Sequence, residues 1–102
     1  MLRQGDVLLV PVADMPRGRT IEPEGGRLVL ARGEATGHHH SVAVEDGELV
    51  DAAEGIFLRI MAPTPLEHQE HAALTLQPGV YRVHCQREYS PGAIDRMVAL
   101  LD

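Results

Sequence analysis

Lysine and tryptophan are absent from this 102-residue chain, cysteine occurs once, and the aromatic side chains are limited to Phe57, Tyr81 and Tyr89. Each shortage excludes something. Nine arginines stand against fifteen Asp and Glu, a formal charge of −6, which excludes a nucleic-acid grip driven by phosphate neutralisation. The same balance gives no reason to expect an anionic membrane surface as a partner. No apolar run approaches the ~20 residues of a membrane helix, and the N-terminal residues lack the charged, apolar and small-residue order of a signal peptide. Cys85 cannot form an internal disulfide, so a reducing, cytoplasmic home is expected. It reads most simply as a small buried apolar residue, since no nearby motif marks a lowered thiol pKa. With so few aromatics the core must be small and aliphatic, and a lean core in about 100 residues invites support from self-association or a bound metal. The expected partner is therefore another copy of the chain, a homo-oligomer, with any small-molecule substrate unspecified.

What is present is an ordinary globular composition, 44% apolar and 24% charged, which suits one β-rich domain over residues 1–102. Val7–Val12 is a continuous apolar run of strand length, with Pro11 near its end or on an edge. From Asp14 to Gly26 prolines and glycines alternate with charges, the signature of a long exposed loop. Arg27–Arg32 reads as a second strand, and residues 33–37 as a turn leading into His38-His39-His40. Ser41–Glu45 alternates with Val42 and Val44 inward, and Asp46-Gly47 signals a two-residue hairpin returning through Asp51. Ile56, Leu58, Ile60 and Ala62 recur with period two. Pro63 and Pro65 end that strand, Leu74 and Leu76 precede the Pro78-Gly79 turn, and Val80–Tyr89 has its odd positions apolar. The tail changes period: Ile94, Met97, Val98 and Leu101 fit a short amphipathic helix entered through Ser90 and Pro91. Short strands separated by turns predict an all-β fold, a small single-domain barrel or sandwich with a C-terminal helix.

Five of the six histidines fall in two clusters. Residues two apart on a strand share a face about 6.6 Å apart, so His38 and His40 can converge on one ion while His39 points outward with Ser41. His68 and His71, three apart, share one side of a helical turn or tight loop. Four imidazoles of this kind suit a divalent transition metal, zinc first, with iron, nickel, copper or manganese as alternatives; without paired cysteines a thiolate-rich structural zinc site is excluded. Glu70 is the first candidate for proton transfer beside such a metal, and Glu67 or Glu70 could add a carboxylate donor. The three-residue spacing of His68 and His71 is not the helical H-E-x-x-H of zinc proteases. The plainer alternative is a set of solvated turns and hydrogen-bonded core histidines, in a non-catalytic structural or interaction module whose His clusters support the fold or an oligomer.

Three segments in order, Gly33-Glu34-Ala35-Thr36-Gly37-His38-His39-His40, Leu66-Glu67-His68-Gln69-Glu70-His71 and Gln86-Arg87-Glu88-Tyr89, resemble a family of short bacterial and phage proteins of uncharacterised function. The resemblance covers most of the chain and implies a shared fold and site, with no activity attached. The family's T-G-H-x-H and H-x-E-H patterns carry onto His38, His40, His68, Glu70 and His71 and leave His39 and His84 outside. His38, His40 and Glu45 also look like the first metal motif of the cupins, whose second motif Pro78-Gly79 and His84 match loosely. That likeness implies a shared architecture, and its metal set would replace His68 and His71 by His84 and Glu45. His84 lies on the polar face of its strand and Glu45 has the opposite parity to His38, so His68 and His71 are preferred. Arg87 shares the parity of Val83 and reads as an ion-pair or oligomer contact, and Tyr89 has either a packing or a site role. Gly25-Gly26 and Gly33 lack a phosphate-loop setting, and Ser41 beside His40 is no evidence of a triad.

Overall fold

The computed structural model describes residues 1–32 and 37–86, and these form an all-β, sandwich-like fold. In chain order the strands are β1 (Leu2–Gln4), β2 (Val7–Val12), β3 (Gly18–Thr20), β4 (Arg27–Arg32) and β5 (His39–Ala43). They continue with β6 (Gly47–Ala52), β7 (Gly55–Ile60), β8 (Thr64–Leu66), β9 (Leu74–Leu76) and β10 (Gly79–Cys85). Six of them make one antiparallel sheet in the order β1-β2-β10-β7-β6-β3. The second layer consists of the antiparallel ribbons β4-β5 and β8-β9, joined by a bridge between Ser41 and Glu67. No closed barrel forms among the described residues.

Alternation places the core between the layers. Val7, Leu9, Val83, Tyr81, Leu58 and Leu49 point inward from the large sheet and meet Leu28, Leu30, Val42, Leu66 and Leu76 from the ribbons. Removing most of such a buried leucine costs about 2–5 kcal/mol, so this aliphatic interior carries the fold despite the shortage of aromatics. Tyr81 is buried and donates its hydroxyl hydrogen to the Gln77 carbonyl at 2.6 Å, which removes the cost of its polar tip.

Val7–Val12 and Arg27–Arg32 are strands as their patterns predict, while the strand expected over Gly55–Ala62 stops at Ile60, leaving Ala62 exposed, and the one expected over Val80–Tyr89 runs Gly79–Cys85, with residues 87–89 outside the described residues. Other expectations need correction. Asp46-Gly47 is not a hairpin between β5 and β6: Val44–Asp46 forms one 3-10 turn, which carries the chain from the ribbon layer into the large sheet. There β6 pairs with β7 and β3, because its Leu49 and Val50 are buried against neighbours that β5 cannot supply. The 14–26 loop contains β3, an exposed three-residue edge strand. Ser41 lies on the outward face with His39, as expected, yet is only 3% exposed, since the Arg27 side chain and the Glu67 bridge cover it. Cys85 is exposed, not buried, because it lies at the end of β10. The expected C-terminal helix, Arg87 and Tyr89 lie outside the described residues. Among the described residues no helix is long and apolar enough to cross a membrane.

A candidate metal centre built from two histidine clusters

The Ser41–Glu67 bridge is what joins the two clusters. The Ser41 amide donates to the Glu67 carbonyl at 3.0 Å and the Glu67 amide returns to the Ser41 carbonyl at 2.9 Å. In an antiparallel pair, stepping back along one strand means stepping forward along the other, so His40 faces His68, His39 faces Gln69 and His38 faces Glu70. Side chains meet in that order. The His40 and His68 ring centres are 4.3 Å apart. The Gln69 side chain clasps His39, its Oε1 2.8 Å from the His39 amide and its Nε2 3.0 Å from Nδ1. His38 Nδ1 lies 2.6 Å from Glu70 Oε1.

All four predicted ligands are therefore brought together. His68 is 4.7 Å from His71 and 5.7 Å from His38 between ring centres, and His71 stacks on His40 at 6.0 Å with the planes 15° apart. His40 is the buried member, at 1% exposure, and His71 is exposed. Among the described residues, no three or more His, Cys, Asp or Glu side chains are arranged as they would be around a metal ion. The ring nitrogens are engaged in hydrogen bonds instead: His40 uses both, His38 Nδ1 meets Glu70, and His68 Nδ1 accepts from the Glu70 amide at 3.0 Å.

Two partners of His40 come from a hairpin that the sequence reading passed over. Gln4 ends β1 and Val7 opens β2 in register, so Gly5 and Asp6 form a two-residue turn. Gly5 takes φ of 57°, a conformation that suits glycine at the first central position of a hairpin turn. The signal was Gly-Asp between Gln4 and the apolar run. Gln4, 3% exposed, donates its amide hydrogens to the carbonyls of Leu66 at 2.7 Å and Ala72 at 3.0 Å and presents Oε1 to His40 Nδ1 at 2.8 Å. It thus pins both ends of the 66–72 segment against β5. Asp6 Oδ1 lies 3.1 Å from His40 Nε2.

Burial holds the His40 imidazole below its ordinary pKa, and His68 pushes the same way, while Asp6 opposes both. Burial likewise lowers His68, helped by His71 and His38 and opposed by Glu70 and Asp6. Both shifts favour neutral rings, the form that binds metals. His84 is lowered by burial and by Arg82, but it pairs in register with Leu8 on the face of the sheet opposite Gln4. The sheet therefore separates His84 from His40, and Glu45 is exposed on the 3-10 turn, so the cupin-type set does not assemble. Glu67 is not turned to the histidines either: its carboxylate pairs with Arg27 at 2.9 Å, and Arg27 also binds the Ser41 side chain and carbonyl. Arg27, His39, Ser41, Glu67, His68 and Gln69 line an open groove of about 350 Å³, so His68 is shared between the groove and the cluster.

The chain belongs to a family described as a domain of unknown function (DUF8820), whose family model matches residues 3–86. That span includes Gln4, Asp6 and all six histidines. No curated protein and no solved structure matches the chain.

Proposed function

For this member of the DUF8820 family we propose metal binding: one divalent transition metal, zinc first with iron, nickel or manganese as alternatives, held among His38, His40, His68 and His71. The observation that carries this reading is the mutual spacing of the rings. Two imidazoles on one ion, with metal–nitrogen bonds of about 2.0–2.1 Å, have ring centres about 4.5 Å apart at a right angle and about 5.2 Å apart at the tetrahedral angle. The four separations between these rings, from 4.3 to 6.0 Å, bracket those values. Closing the rings on an ion requires His68 to give up the Glu70 amide, a bond on an exposed loop, while the buried His40 keeps its anchor on Gln4. Glu70 on His38 Nδ1 occupies the place of a carboxylate that fixes the tautomer of a ligating imidazole, and it is also the group available for proton transfer.

The test is elemental analysis of protein purified without metal-affinity columns, before and after reconstitution, with zinc titration of His68→Ala. The reading expects about one metal per chain and a loss of affinity in the variant with little change in metal-free stability. A small fraction of one metal per chain after reconstitution would reject it.

A second reading is favoured by the closed hydrogen bonding: among the described residues no buried side-chain nitrogen or oxygen lacks a partner. On that reading the cluster is a polar stitch between β1-β2, β5 and the 66–72 segment of a non-catalytic assembly module. His68→Ala would then lower stability or dissociate an oligomer, which light scattering reads directly. Self-association and a cytoplasmic home belong to both readings as proposals.

A further inference from the structure

The side chains that line the groove beside the histidine cluster hold one another in place. Arg27 donates through Nε to Ser41 Oγ at 3.1 Å and through Nη2 to the Ser41 carbonyl at 3.0 Å and to Glu67 Oε1 at 2.9 Å. These bonds fix the guanidinium and leave Nη1, with two hydrogens, without an acceptor among the described residues. The Gln69 amide is oriented by the same kind of constraint: the His39 backbone amide can only donate, so the Gln69 oxygen faces it and the Gln69 nitrogen faces His39 Nδ1. Nδ1 is therefore an acceptor and Nε2 carries the ring hydrogen, again with no acceptor among the described residues. His68 accepts at Nδ1 from the Glu70 amide, which puts its hydrogen on Nε2 as well.

A surface so supplied with donors suits a ligand that brings acceptors. The carboxylate lining the groove is Glu67, which is 55% exposed and meets Arg27 through one oxygen. An exposed pair of that kind is weakly held, so an incoming carboxylate can displace it and take Nη1 and Nη2 together, the fork geometry in which arginine binds carboxylates best. Charge narrows the choice. One guanidinium beside one carboxylate, in a chain of net charge −6, disfavours a dianion such as phosphate and tolerates a single negative charge. The volume of about 350 Å³ lies at the small end of ligand pockets, and the His39 and His68 rings offer flat faces to an aromatic group.

We propose that this groove binds a small monocarboxylate, held by Arg27 Nη1 and Nη2 with His39 Nε2 as a further donor, in competition with Glu67. The site shares His68 with the metal-binding reading and does not depend on it.

The probe is benzoate, titrated into the full chain at pH 7.5 with EDTA present, and the readout is the amide chemical shifts of nitrogen-15-labelled protein. Saturating shifts are expected at the His39, Ser41 and Gln69 amides, with a Kd on the order of millimolar for so small a ligand, and none with benzamide, its neutral counterpart. Glu67→Gln removes the rival carboxylate and should tighten benzoate binding at least threefold. Arg27→Lys keeps the charge, loses the fork and should weaken binding at least fivefold in a chain whose spectrum elsewhere is unchanged. The absence of saturating shifts with benzoate, an equal response to benzamide, or an affinity in Glu67→Gln no better than wild type would each overturn the proposal. Inorganic phosphate binding more tightly than benzoate would overturn it too, by removing the case for a singly charged ligand. All of these outcomes leave the metal-binding reading to its own zinc titration.

Discussion

Replacing Gln4 by Met keeps the length and volume of the side chain and removes its hydrogen bonds. Three are lost, to Leu66, Ala72 and His40, at 2.7, 3.0 and 2.8 Å. At about 1 kcal/mol net for each, the loss is about 3 kcal/mol, and the more apolar side chain offsets about 1, leaving about 2 kcal/mol. A domain near 100 residues loses about 4–8 °C for each kcal/mol, so the melting temperature should fall by roughly 10–15 °C. Urea denaturation followed by far-UV circular dichroism reads the free energy directly. Gln4→Glu is the sharper companion, because it keeps an acceptor for His40 but sets a carboxylate against two carbonyl oxygens. It should destabilise more than Gln4→Met at pH 8 and recover in part on acidification. A change under about 0.5 kcal/mol for Gln4→Met would refute the claim that this amide clamps the 66–72 segment.

Gly5→Ala should cost about 1–2 kcal/mol by urea denaturation, from the positive φ alone, and should weaken zinc binding by pushing the His71 ring off the turn. Unaltered zinc affinity would show that His71 needs no seat on Gly5. The lowered pKa values of His40 and His68 mean that the unfolded chain binds more protons below the ordinary value of 6.5. Their contribution to stability is whole above that value and lost as the pH falls through the folded-state values. The urea midpoint of the metal-free chain should therefore decline from pH 7.5 to 5, less steeply in His68→Ala; equal slopes would contradict the assignment. Leu58→Ala, at a fully buried position in the middle of β7, should cost about 2–5 kcal/mol, and a loss near zero would mean that the core lies elsewhere.

The strands were legible where one face is buried, since Val7–Val12 and Gly79–Cys85 announce themselves by apolar content and parity. Pairing was not. Asp46-Gly47 is a sound hairpin signal locally, but β6 finds its partners in β7 and β3, and no local pattern encodes that choice. β3 is exposed along its length, so it leaves no apolar trace in the sequence. In the site, the spacing of His38, His40, His68 and His71 identified the residues that converge. The Ser41–Glu67 bridge that makes them converge joins positions 26 residues apart and has no signature in either segment. Gln4 and Asp6 stayed hidden because their roles come from a burial that only the folded hairpin creates. Ser41 keeps the expected outward parity but is buried all the same, because Arg27 reaches over it from β4, and the alternation breaks instead in β4, where the bulge between Val29 and Ala31 buries Leu30 and Ala31 in succession.

The most direct test of the account is a crystal structure of the zinc-loaded chain with anomalous diffraction recorded on both sides of the zinc edge. The account predicts one strong peak within bonding distance, about 2.0–2.1 Å, of ring nitrogens from His40 and from the His68–His71 segment. No peak among these rings, or one seated only on His84 or His39, would contradict it.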